Sequence, residues 1–161
     1  MGERQRGRRG DYVQFVPLTT RWADNDVYGH INNVAYYAFI DTAVNQLLIG
    51  QGLLDVTGSP VIGVAAESGC RYHASAAYPD VIHAGVRVGR LGSSSIRYEI
   101  GLFRNDEDEA TAEGFFVHVM VDRQTMRPVP IPQPLRDWLE GLVLQAASLP
   151  RPAGEARNKG P

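Results

Sequence analysis

From Val34 to Ile49 the apolar residues Tyr36, Phe39, Ile40, Ala43, Val44, Leu47 and Leu48 return at intervals of three and four, which gathers them on one broad face of a helix. Asn32 or Asn33 can cap the start of this helix, and Gly50 can end it. At ~1.5 Å per residue the rod is roughly 24 Å long, enough to span a small domain. It is expected to be the one buried helix.

The rest of the pattern has the period of strands. Residues 13–23 predict a first strand, with Pro17 pointing to a sheet edge or to the strand's beginning because proline has no N–H for a ladder. In 61–75, Ile62, Val64, Ala66, Cys70 and Tyr72 alternate with Glu67, Arg71 and His73. Val81 to Arg90 carries Ile82, Val86 and Val88 on one face, and Gly92 marks a turn. Ser94, Ile96, Tyr98, Ile100 and Leu102 then alternate with Ser95, Arg97, Glu99 and Phe103. The acidic run Asn105–Glu109 reads as a hairpin turn before a last strand of about Ala110 to Asp122. Prolines at 128, 130 and 132 lead into a second helix from about Pro134, with Leu135, Trp138, Leu139, Leu142, Val143 and Ala146 on its packed face.

Short turns between long strands make neighbours antiparallel, and a sheet with one apolar face must cover the apolar helix. The pattern therefore gives an α+β fold with a curved sheet around a central helix. The ordered domain is expected at about residues 11–148. It is flanked by a disordered basic tail, 1–10, and a disordered tail rich in Pro, Gly and charge, 149–161.

Composition narrows the function. A chain of 161 residues, 43% hydrophobic, fits one domain, and no apolar run is long enough for a membrane span. The start MGERQRGRRG lacks the apolar stretch of a secretory leader, so a cytoplasmic protein is expected. A net charge of −2 argues against nucleic acid as the main partner. The run Arg4, Arg6, Arg8, Arg9 is read as a solvated terminus. Cys70 is the only cysteine, and His30, His73, His83 and His118 lie apart on different elements, so no disulfide and no metal site is expected.

The chemistry gathers just before the central helix, where Asp24, Asp26, Gly29, His30, Asn32 and Asn33 fall in one short loop. The first N–H groups of a helix lack internal partners and favour negative charge in front of them, so a carbonyl becoming an oxyanion is stabilised there. Asp26 stands where it can attack that carbonyl or activate a water. Asp24 suits a structural role, bonding loop amides or Arg21. His30 can act as a general acid, orient Asp26, or pack the loop against the sheet, and structural roles are the commoner fate of a lone histidine.

The motif W-x-D-x-D-x-x-G-H-x-N-N-x-x-Y, Trp22 to Tyr36, resembles the hotdog-fold acyl-CoA thioesterases of the 4-hydroxybenzoyl-CoA thioesterase type, and the likeness extends over most of residues 12–140. The resemblance implies a hotdog fold. It also implies that Asp26 is the catalytic carboxylate and that the Asn33 backbone amide binds the thioester carbonyl, with His30 in support. Gly29 lets the chain approach a ligand closely. The turn Gly92-Ser93-Ser94-Ser95 is similar to the segment that lines the coenzyme A path, with Ser94 and Ser95 as hydroxyl donors and Arg90 as a phosphate contact. Many relatives carry Arg after the helix Ala, where this chain has Val44 after Ala43.

The expected activity is hydrolysis of an acyl- or aryl-CoA to a carboxylic acid and coenzyme A, with no cofactor beyond the substrate. The expected assembly is a homodimer or homotetramer in which residues near Cys70 to Tyr78 of a second copy complete the pocket. A non-catalytic acyl-CoA-binding module is the rival from another class. A hotdog hydratase or dehydratase is disfavoured, because its D-x-N-P-x-H spacing is absent here.

Overall fold

A computed structural model describes residues 5–144 of the chain. Five strands, β1 (Gln14–Thr19), β2 (Val61–Tyr72), β3 (Val81–Leu91), β4 (Ser95–Arg104) and β5 (Ala112–Asp122), form one antiparallel sheet in the order β1-β3-β4-β5-β2. The sheet wraps α1 (Asn33–Gly50), and a short α2 (Gln133–Glu140) packs beyond it. This is the hotdog form of an α+β fold. Among the described residues, no helix is long and apolar enough to cross a membrane.

α1 forms where its periodicity predicts, and Tyr36, Phe39, Ile40, Ala43, Val44 and Leu48 are buried along it. The Asn32 side chain caps its start by accepting from the Val34 N–H at 3.0 Å. Its end lies slightly beyond the predicted stop. The helix runs through Gly50, and Gly52, at φ +68°, is the left-handed residue that lets Leu53 N–H reach back to the Leu48 carbonyl at 2.9 Å. Opposite α1 the inward rows of the sheet are Ile82, Ala84, Val86 and Val88 on β3 and Ile96, Tyr98, Ile100 and Leu102 on β4, all buried. Pro17 sits on the edge strand β1, as its missing N–H requires.

The predicted face of β2 is corrected by a bulge. Pairing with β5 slips between Ala65 and Glu67, so one extra residue reverses the alternation halfway along the strand. Gly63 and Ala65 face the helix before the bulge, and Ser68 faces it after. Cys70 also packs on the core. Ile62 and Val64 therefore fall on the opposite face from Cys70 and Tyr72.

Two other boundaries shift. The first strand stops at Thr19, because Asp24 captures Arg21 and winds Trp22–Asp24 into a 3-10 turn. α2 ends at Glu140. Past Gly141 the chain straightens, and the Leu142 carbonyl accepts from Val88 N–H at 2.9 Å. Ala146 lies outside the described residues.

Residues 5–10, expected in a disordered tail, are held on the domain. Arg9 donates to the Glu107 carbonyl at 2.8 Å and to the Asn105 carbonyl at 2.5 Å. Ala110 N–H donates to the Gly7 carbonyl at 2.9 Å. The acidic β4–β5 turn thus receives the basic run. Tyr12 follows onto the outer face of the sheet, where side chains at Gly85 or Gly101 would strike its ring. Residues 1–4 and 149–161 of the two expected tails lie outside the described residues.

Candidate active site

The loop between β1 and α1 is built as a set of nested closures. The Asp24 carboxylate, buried at 5% exposure, accepts from Arg21 N–H at 2.7 Å and from the Arg21 guanidinium at 2.8 Å. The Asp24 carbonyl accepts from Asn32 N–H at 2.8 Å, which closes the base of the loop against the helix cap. Asn25 and Ile31 then pair as an antiparallel bridge. Inside it, Asp26 N–H donates to the His30 carbonyl at 2.8 Å, and Gly29 N–H donates to the Asp26 carbonyl at 3.1 Å. Gly29 has φ +80°, a left-handed conformation that glycine adopts without strain. The loop is also pinned from outside, since Ile31 N–H donates to the Ala76 carbonyl at 2.8 Å and Tyr78 N–H to the Asn25 side chain at 3.0 Å.

Asp26 thus opens a tight turn with its carboxylate half-buried. One carboxylate oxygen, Oδ1, accepts from Tyr28 N–H at 2.8 Å. Asn33 is the first residue of α1, and its backbone N–H has no hydrogen-bond partner among the described residues. Its carbonyl accepts from the Tyr72 hydroxyl at 3.0 Å, which ties β2 to the head of the helix. A carboxylate and an open helix N-terminus therefore share one rigid loop. The first can deliver or activate a nucleophile, and the second can receive developing negative charge.

His30 is exposed, so it does not pack the loop against the sheet. Its backbone carbonyl, not its ring, pairs with Asp26. Asp24 has the structural role its position suggested. Val44 is buried in the core.

Backbone hydrogen bonds join Asp26, Gly29 and His30 in one turn, Asn33 follows three residues on as the first residue of α1, and Arg90, Ser94 and Ser95 do not join them within one chain. Thr19, which leads into the loop, pairs with Val81 at the start of β3, whereas the Gly92–Ser95 turn follows the end of β3. β3 has 11 residues, so at ~3.3 Å each the two groups lie roughly 30 Å apart. The Ser94 carbonyl is engaged by Met120 N–H at 2.7 Å, and Arg90 is exposed.

Grooves run along both flanks of α1 from its head, and Val34 lines each of them. One, of about 840 Å³, lies between α1 and β1 and includes Asp24, Asn32 and Phe39. The other, of about 540 Å³, lies between α1 and the β2–β5 pair and ends at Gly63 and His118. Sequence reasoning left His118 among scattered histidines. It is 5% exposed, and burial, which penalises the charged ring, pushes its pKa down to about 4. The only available signal was its place in the inward row with Phe116 and Met120.

Around the loop, apolar side chains stand in the open, with Val27 94%, Tyr28 82%, Trp22 80% and Val34 68% exposed.

The pattern of the thioesterase-like superfamily matches residues 20–139. The PA5185 protein of Pseudomonas aeruginosa is 54% identical, with a TM-score of 0.84 over 86% of this chain and 96% of that one. PA2801, a candidate thioesterase of the same organism, is 28% identical, with a TM-score of 0.73 over 80% and 98% of the two chains. The DHNA-CoA thioesterase of Staphylococcus aureus is 19% identical, with a TM-score of 0.69 over 79% and 86%, and shares the fold. None of the curated proteins matches.

Proposed function

Because this chain belongs to the thioesterase-like superfamily, we propose that it hydrolyses the thioester of an acyl-coenzyme A, releasing a carboxylic acid and free coenzyme A. The reading rests chiefly on one observation: the Asp26 carboxylate lies on the pinned loop that leads into α1, and the Asn33 N–H at the head of that helix is unpartnered among the described residues.

In this mechanism the thioester carbonyl oxygen points at the Asn33 N–H and the helix N-terminus. Asp26 attacks the carbonyl carbon, or takes a proton from a water that does so. The carbonyl electrons move to oxygen as the oxyanion forms, facing donors that need no rearrangement. Collapse breaks the carbon–sulfur bond, and the thiolate leaves as coenzyme A. If Asp26 attacked directly, water then cleaves the mixed anhydride and restores the carboxylate. Gly29 lets the loop approach the ligand, and His30, open to solvent beside it, supports proton movement.

The coenzyme A contacts proposed for Arg90, Ser94 and Ser95 are too far from Asp26 to serve it in the same chain. A second copy related by a twofold axis resolves this, because it brings the far end of one sheet to the loop of the other. The exposed Trp22, Val27, Tyr28 and Val34 favour such a homodimer, by itself or within a homotetramer. Residues of the partner near Cys70 to Tyr78 would wall the pocket.

The test is free-thiol release from a panel of acyl- and aryl-CoA esters by wild-type protein and Asp26→Asn. Turnover that disappears in the variant is expected, and turnover that persists removes Asp26 from the mechanism.

A further inference from the structure

The groove between α1 and the β2–β5 pair does not end blindly on hydrocarbon. At His118 it meets a small enclosed recess of about 60 Å³, and Asn45, Gly63 and His118 line both spaces. Most of the recess is apolar, with Leu48, Leu53 and Met120 among its walls. Tyr98 stands out among the polar residues that line it. It is 1% exposed and lines the recess, yet among the described residues its hydroxyl has no hydrogen-bond partner. A buried hydroxyl left unpaired costs about 1–3 kcal/mol, so it is an unusual thing for a core to keep.

Three polar residues line the recess. Tyr98 Oη can donate and accept. His118 packs edge-on against the Tyr98 ring, with centroids 5.5 Å apart, and its buried neutral imidazole has one donor and one acceptor nitrogen. Asn45 has its amide nitrogen committed to Asp41 at 2.9 Å, which leaves its carbonyl oxygen as an acceptor. Gly63 makes the seat for His118, since a side chain at that position would meet the ring Nδ1 at 2.7 Å. Among the described residues, no charged side chain lines the recess. An ionised ligand group would therefore be buried without a counter-charge, and a neutral group that both donates and accepts would not.

The groove also has a direction. Val34, Tyr37, Ala38, Asp41 and Asn45 form one stripe down α1, so it begins at the helix head and reaches the recess about 16 Å further on, at ~1.5 Å per residue. We propose that this groove and recess form an acyl subsite selective for a straight acyl chain with a terminal hydroxyl, the hydroxyl being bound by Tyr98, His118 and the Asn45 carbonyl. The proposal rests on the thioesterase reading above for the position of the thioester at the helix head, while the recess itself is independent of the chemistry.

The test uses a graded series of straight-chain acyl-CoA esters, each paired with its terminal-hydroxy counterpart. Binding is measured by calorimetry on full-length Asp26→Asn protein, and thiol release on full-length wild type. A neutral hydrogen bond made in place of an unpaired hydroxyl predicts that the hydroxy member of the best-fitting pair binds at least about tenfold tighter. Tyr98→Phe, which removes only the unpaired hydroxyl and should fold normally, brings that preference toward parity. Equal binding of the two members, or a preference that survives Tyr98→Phe, overturns the subsite. Preferential binding without thiol release from wild type keeps the subsite and removes the hydrolytic reading. Thiol release without preference does the reverse.

Discussion

Asn32 donates its backbone N–H to the Asp24 carbonyl at 2.8 Å, so the residue that caps α1 is tied to the carboxylate that organises the preceding loop. Asp24→Ala would leave the Arg21 amide without its acceptor and slacken the turn that carries Asp26. The expected cost is about 1–3 kcal/mol of stability, with a fall in turnover alongside. Urea denaturation and the thiol-release assay on the same preparation check both. Asp24→Asn, which keeps one acceptor oxygen, should lose less of each.

Asp26→Asn separates chemistry from folding. The Asx turn to Tyr28 N–H survives, because the amide oxygen can still accept. Stability should stay within about 0.5 kcal/mol of wild type. Turnover should fall by at least about 10²-fold, the usual worth of a positioned acid–base group.

His118 gives the fold a pH dependence whose sign is fixed by burial. Its folded pKa, about 4, lies below the ordinary value of 6.5, so the unfolded chain takes up the proton more readily. Stability is full above about pH 6.5, declines as pH falls through the window to about 4, and loses about 3 kcal/mol in all. Asp41, whose charge favours the protonated ring, works against this loss without cancelling it. Urea midpoints across that window should slope in wild type and flatten in His118→Gln.

Gly114 faces α1 from β5, where a methyl group would collide with the Ile40 side chain and crowd the Gly69 carbonyl. Gly114→Ala should therefore destabilise by about 1–3 kcal/mol, as overpacking does. A paired Ile40→Val change, which shortens the opposing side chain, should recover part of the loss. A thermal-melt cycle over the four proteins measures the coupling.

The elements were legible in the chain because their signals are repetitive. Seven apolar positions from Tyr36 to Leu48 define one helical face, and the alternation from Ile96 to Leu102 defines an inward row. Features that depend on one residue or on remote partners were not. Ala66 looks like another step in an alternating strand, and only pairing with β5 makes it the extra residue that turns Ile62 and Val64 outward. Arg8 and Arg9 have the composition of a solvated tail, and their seat is an acidic turn about a hundred positions away. Alternation told that Tyr98 points inward, but not that its hydroxyl would find no partner. In the loop, spacing put Asp26 and Asn33 on one short connection, with Asp26 opening a turn closed at His30 and Asn33 starting α1. It gave no warning that Arg90 and Ser95 lie at the far end of the sheet.

That separation has a genetic consequence. Under the dimer reading, each catalytic unit takes Asp26 from one chain and Arg90 from the other, so two defects on different chains need not fall in the same unit. A subunit carrying Asp26→Asn, mixed with one carrying Arg90→Ala, would form heterodimers with one doubly impaired centre and one intact centre. Two alleles, each crippled alone, would complement each other in a single cell, and the recovered activity would count how often unlike chains had paired.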